Sequence, residues 1–352
     1  MTGMAGERAV HAPGAVAAAA AGTAARGRDT ASARMLRARS ISRWAPVAVL
    51  IGLVVVFSLV NGNFMRLSNF ARMSIVATPP LMVAVGATFV ILMGSVDLSM
   101  EGTVATTAVV FAYTFLRLGG TLAGGGWLAI PAAMLAGVTL GLVNGLVHVK
   151  LRIPSFMASL SMGFVGMGLS MLMTGGDRVR VEDPAFRALL TERILGFPLM
   201  VPLAILALLV AWFIQRNTIL GRNFYAIGGG EDLAHASGVN VARVRVLGFG
   251  LAGAFYTLAA IFAVGRIGIA ETATGSNLMF VSITSVVVGG TSLMGGVGGV
   301  WNTLVGVLIV NVISNGMIVM GLPRYVQDGM MGLLVIIAVV LATDRTAKAI
   351  VK

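Results

Sequence analysis

The sequence predicts an all-α polytopic membrane protein of about ten transmembrane helices, arranged as a 5+5 inverted repeat. Three observations carry that expectation. Residues of the AVILMFWYC set make up 57% of the 352 residues and charged residues only 11%, against about 25% in a soluble domain. A soluble globule of this size could not hide so much apolar surface. Apolar runs close to the roughly 20 residues that a helix needs to cross a bilayer recur from Trp44 onward. Similar Asn-Gly and Pro signals then mark the two halves of that series. The same composition excludes a disordered chain, a disulfide scaffold and a plain soluble enzyme.

Residues 1–43 differ from the rest: they carry no aromatic residue and include Arg26, Arg28, Arg34, Arg37, Arg39 and Arg43. They read as a disordered basic cytoplasmic tail, attracted to anionic lipid by roughly 1 kcal/mol per basic residue. An Arg-rich transit peptide is the alternative. Residues 44–345 form the expected transmembrane domain, and 346–352 a cytoplasmic C-terminal tail. Spans are expected near 44–61, 74–93, 99–117, 127–147, 155–174, 196–214, 246–264, 278–294, 300–320 and 329–343. Pro79-Pro80, Gly289-Gly290 and a short final run blur the second, eighth and tenth.

Charge sets the orientation. With both termini in the cytoplasm, 16 of the 25 basic residues fall on that side, concentrated around the first span. The net charge of +12 therefore points to orientation and lipid head groups, not to nucleic acid. Asn144-Gly145 ends the fourth span and precedes Pro154-Ser-Phe156, while Asn315-Gly316 lies late in the ninth and precedes Pro323-Arg-Tyr325. Five spans per half is an odd number, so the second copy would be inverted, as in many transporters.

Catalytic patterns are missing. His11, His148 and His235 show no metal-ligand spacing, no lysine stands in a P-loop, and there is no Cys. No catalytic residue, metal or resident cofactor is expected. Gly137, Gly141 and Gly145 form a small-residue stripe suited to close helix packing. Asp97 and Glu101 are the carboxylates nearest the second and third spans. An intramembrane acid is functional by default, but Asp97 could equally cap the helix that follows. Asp97, Asn144, Phe156 and Asn315 are the candidate lining of a translocation path. The rival reading gives the two Asn side chains to interhelical hydrogen bonds, worth about 0.6–2 kcal/mol each.

The segment 215–245 is the most specific feature. Gly228, Gly229 and Gly230 break the chain, Glu231 and Asp232 favour the first turn of a short helix, and Gly238 suits its C-cap. Such a helix buries little alone and makes sense docked on a partner. Ala234 follows Glu231 by three residues, so the two are expected to share the docking face.

At these residues the sequence resembles the permease subunits of bacterial ABC importers for monosaccharides of the ribose/xylose/galactose type. The resemblance spans about 45–345 through VILMGSVDLS at 90–99, NGLVHVKLRIPSFMASL at 144–160, GRNFYAIGGGEDLAHASGVNV at 221–241 and VVVGGTSLMGGVG at 286–298. It implies a multi-pass protein of the bacterial plasma (inner) membrane, with two copies lining one path as a homodimer. It also implies cytoplasmic ABC ATPase subunits that bind the ATP, and an extracytoplasmic sugar-binding protein. Glu231, Asp232, Ala234 and Gly238 would then belong to the ATPase-coupling helix. Met279 and Phe280 stand where an acidic residue and Leu are usual, and Thr284-Ser285 replace two alanines. Ser95 replaces a usual Gly, and Glu101 is unusual after Asp-Leu-Ser. Branched-chain amino acids or nucleosides are the alternative cargo, and an ion-coupled secondary carrier or a membrane scaffold the alternative function.

Overall fold

A computed structural model describes residues 44–194 and 196–342. Both expected tails, 1–43 and 346–352, lie outside the described residues. A helix stands wherever an apolar run predicts one. The first five are α1 (Trp44–Val60), α2 (Leu67–Leu92), α3 (Met100–Arg117), α4 (Ala129–Leu151) and α5 (Ser155–Thr174). A short α6 (Pro184–Thr191) precedes α7 (Met200–Asn217). The expected coupling segment folds as α8 (Ile219–Gly229) and α9 (Glu231–Ala236). The series closes with α10 (Val241–Ile267), α11 (Leu278–Val288), α12 (Val300–Val319) and α13 (Arg324–Ala342). Among the described residues, 6 stretches are long and apolar enough to cross a membrane: α2, α4 with its preceding turn, α5, α7, α10 and α12.

Two expected boundaries move. Pro79-Pro80 does not break the second span: α2 runs through both prolines and begins at Leu67. The Ser282 hydroxyl of α11 donates to the Pro80 carbonyl at 3.3 Å, which ties α2 to α11 at that level. The eighth span is shorter than expected. α11 stops at Val288, and 289–299 becomes an irregular turn with Gly290, Gly295, Gly296 and Gly298 at positive φ.

α2 and α10 are the most buried helices and pack against each other. α3 packs on α4, α5 and α10, and α11 packs on α12, α13 and α2. α4 crosses α10, while α12 crosses α2. The small-residue stripe explains the first crossing. A Cβ on Gly141 would overlap the Phe249 carbonyl of α10, and one on Gly253 would overlap the Gly137 carbonyl. In lipid, where helices gain no hydrophobic drive to associate, such close approach maximises dispersion.

The helix ends sort into two sets. At one end, Val179–Arg180 pairs antiparallel with Ile269–Ala270, and Arg178 meets Glu271 at 2.7 Å. Asp183 caps α6 by accepting from the Phe186 amide, and accepts from the Leu122 amide at 2.9 Å as well. Phe186 then packs its ring against Phe111 and Phe115 of α3. The other end gathers 93–99, 148–155, 215–245 and 289–299, through the contacts described next.

Candidate functional site

The short helix α9 is built by its termini. Its C-terminus closes with paired bonds, the Gly238 amide to the His235 carbonyl at 2.9 Å and the Val239 amide to the Ala234 carbonyl at 3.1 Å. That is the Schellman arrangement, and Gly238 takes the left-handed φ of 83° that it requires. At the N-terminus the Glu231 side chain is half-exposed. It receives a bidentate ion pair from Arg245 of α10, at 2.9 and 2.7 Å, which fastens α9 to the bundle.

Ala234 corrects the expected docking face. It is 4% exposed and packs into the core, because its helix is seated on α10 through that side. The exposed residues of α9 are Glu231, Asp232, Leu233, His235 and Ala236. Leu233 is 74% exposed, a large apolar side chain on a segment otherwise polar or small.

Behind α9 lies a junction of backbone on backbone. A Cβ on Gly228 would overlap the Leu92 carbonyl and the Gly296 amide, so α8 can approach α2 only through glycine. The Gly296 amide donates to the Leu92 carbonyl at 3.0 Å. Tyr225 of α8 donates its hydroxyl to the Gly298 carbonyl at 2.6 Å and accepts from the Gln215 amide. Burial pushes the Tyr225 hydroxyl above its usual pKa, so it stays a neutral donor. Gln215 completes the junction by accepting from the Val300 amide at 2.8 Å. The stretches 90–99, 221–241 and 286–298, far apart in sequence, thus meet in one place beside α9.

The same end holds a buried polar knot. Asp97 Oδ1 accepts from the Ser99 amide at 2.9 Å, from the Ser99 hydroxyl at 2.6 Å and from Asn144 Nδ2 at 3.2 Å. Tyr256 of α10 donates to Asp97 Oδ2 at 3.0 Å. Ser155 and Ser159 of α5 accept from the Val96 and Leu98 amides. Asp97 does not cap α3, whose N-cap is Ser99 with no side-chain cap bond; it ties the α2–α3 turn to α4 and α10. Asp97 and Asn144 are 2% and 1% exposed, which takes both off any accessible lining and gives Asn144 to the rival, interhelical reading.

Phe156 lies at the same end as the knot, next to Ser155, while Asn315 lies at the opposite end, so the four path candidates do not converge. Asn315 exchanges reciprocal amide bonds with Asn69 of α2 at 2.8 and 3.1 Å. It borders a cleft of about 500 Å³ with Asn63, Arg66, Arg72 and Asn311, at the end opposite α9. Phe156 is exposed near the start of α5. Sequence reading missed Leu233, Arg245, Tyr225, Gln215 and Tyr256. Only Leu233 left a local signal, as the one large apolar residue of a short polar helix. The others act across separations that no helical spacing encodes.

Comparison with known proteins agrees with this architecture. The family model described as branched-chain amino acid transport system / permease component matches residues 69–339. The ribose import permease protein of Haemophilus influenzae is 32% identical over 294 residues, covering 82% of this chain and 90% of that protein. That of Bacillus subtilis is 32% identical over 87% of this chain and 94% of its own length. An L-arabinose ABC transporter permease protein of Azospirillum brasilense is 31% identical over 85% of this chain and 87% of its own length. With its glycine junction, its capped α9 and a match that runs from α2 to α13, the chain belongs to the branched-chain amino acid transport system / permease component family.

Proposed function

We propose that this chain is the transmembrane permease subunit of an ATP-binding cassette importer that passes a monosaccharide into the cytoplasm. An extracytoplasmic binding protein delivers the sugar, and partner ATPase subunits bind and hydrolyse the ATP. The observation that carries the proposal is α9, a capped helix fastened by Glu231–Arg245 that turns Asp232, Leu233 and His235 outward. A short helix that presents one large apolar side chain among polar neighbours has the form of a helix laid into a protein groove. Asp232 and Leu233 contact the ATPase, while Glu231, Ala234 and Gly238 hold the helix at its angle. The relatives named for ribose and L-arabinose import support a sugar as cargo.

The chain crosses the bacterial plasma membrane ten times, as a 5+5 inverted repeat with both termini in the cytoplasm. Support for the repeat comes from which helices pack together. Exchanging α2 with α10, α3 with α11, α4 with α12 and α5 with α13 leaves the pairs given above unchanged. The cleft between the end of α12 and the start of α2 likewise has a counterpart between the end of α4 and the start of α10. Two copies of the chain line one path, with Asn315 and Phe156 as the accessible lining candidates.

The substrate is tested by uptake into proteoliposomes holding the complete transporter with its binding protein. Labelled ribose, arabinose, leucine and a nucleoside are compared. Sugar uptake supports the proposal, and uptake of leucine or nucleoside alone replaces the sugar with the alternative cargo.

A further inference from the structure

A cleft of about 830 Å³ lies beside α9, between the end of α4 and the start of α10. Its polar lining is His148, Arg152, Glu231, His235, Asn240 and Arg245. The charge of this lining is lopsided. Glu231 is its one carboxylate, and Arg245 already occupies both oxygens. Arg152 has no carboxylate partner among the described residues. It ends α4 as the C-cap with a left-handed φ of 56°, which turns the chain at the rim of the cleft.

Two buried atoms of the lining lack partners among the described residues, Nε of Arg245 and Nε2 of His148. His148 Nδ1 donates to the Ile153 carbonyl at 2.6 Å, which leaves Nε2 as the ring atom without a partner. Buried polar atoms are normally satisfied, so these two, beside one cleft, can take a partner supplied by what binds there once the side chains turn toward it. The first turn of α10 borders the same space and adds the positive end of a 27-residue helix. The volume lies in the range of small-molecule sites and exceeds what a bare ion needs.

We infer that this cleft binds a phosphate group, carried either by the head of an anionic phospholipid or by a free phosphate. Bound there, the phosphate bridges Arg152 after α4 to the start of α10 and steadies the seat on which Glu231 fastens α9. This rests on the cleft alone and not on the transport proposal.

The test uses the purified full-length chain in neutral detergent. Thermal unfolding is followed with inorganic phosphate against chloride at matched ionic strength, and with phosphatidylglycerol against phosphatidylcholine. Arg152→Asn removes the charge while tolerating the left-handed backbone, and Arg152→Lys retains the charge. Wild type and Arg152→Lys should be stabilised by one of the two probes. Arg152→Asn should need about tenfold more of that probe, as expected for loss of a charge-assisted bond. Stabilisation by inorganic phosphate identifies a free phosphate, and stabilisation by phosphatidylglycerol alone identifies a lipid head. Should Arg152→Asn fail to fold, Arg152→Gly relieves the backbone and serves the same comparison. A chain that neither probe stabilises, or a neutral variant that responds like wild type, overturns the site.

Discussion

At the scale of single residues, α9 separates outward contacts from inward support. Nothing lies within 4 Å of a Cβ built on Gly238, so Gly238→Val acts through its φ of 83° alone. A β-branched residue there costs about 1–2 kcal/mol, spent by unwinding the last turn of a six-residue helix. Stimulation of ATP hydrolysis by the binding protein should fall severalfold, with assembly of the permease unchanged by size-exclusion chromatography. Ala234→Trp should also uncouple, by lifting α9 off the core that buries Ala234. Leu233→Ser should weaken ATPase binding without shifting the melting temperature of the isolated permease, since Leu233 touches solvent. The knot behaves differently. Tyr256→Phe strips one donor from the buried Asp97, and a loss of about 1 kcal/mol in stability is expected, with transport per assembled complex retained. Lost transport at full stability would put Asp97 back in the path.

At the scale of elements, helix existence was legible because lipid imposes one length and one composition on every span. The boundaries that moved did so for contacts that sequence does not display. α2 continues through Pro79-Pro80 while packed against α10, α11 and α12, and α11 ends early because 289–299 is held by Leu92, Gln215 and Tyr225. The glycine stripe of α4 was readable from its spacing, yet its partner helix was not. The crossing also makes a prediction. Gly141→Leu places a side chain where the Phe249 carbonyl lies, and no rotamer avoids backbone. Overpacking of this kind costs roughly 1–3 kcal/mol or more. The expected outcome is loss of folded permease from the membrane, measured as yield after detergent extraction. Gly168, with nothing within 4 Å, should accept Leu without loss.

At the scale of the whole molecule, charge bias and the sorting of helix ends lead to one topology. Reporter fusions after Lys150, within 215–240 and after Arg345 should read as cytoplasmic, and those at 120–125 and 180–190 as outer. Composition and motifs made the class and the coupling segment legible. The candidate path was not, because a polar residue in a span serves equally as lining or as glue between helices, and Asn144 proved to be bonded to Asp97. The central claim is that α9 hands the energy of ATP hydrolysis to this permease. It is tested most directly in proteoliposomes containing the permease and its ATPase, by measuring ATP hydrolysis with and without sugar-loaded binding protein, for wild type and Leu233→Ser. The account predicts strong stimulation in wild type and its collapse in the variant, with sugar uptake falling in parallel. Uptake that persists without ATP and follows an ion gradient instead, with no stimulated hydrolysis, would contradict it.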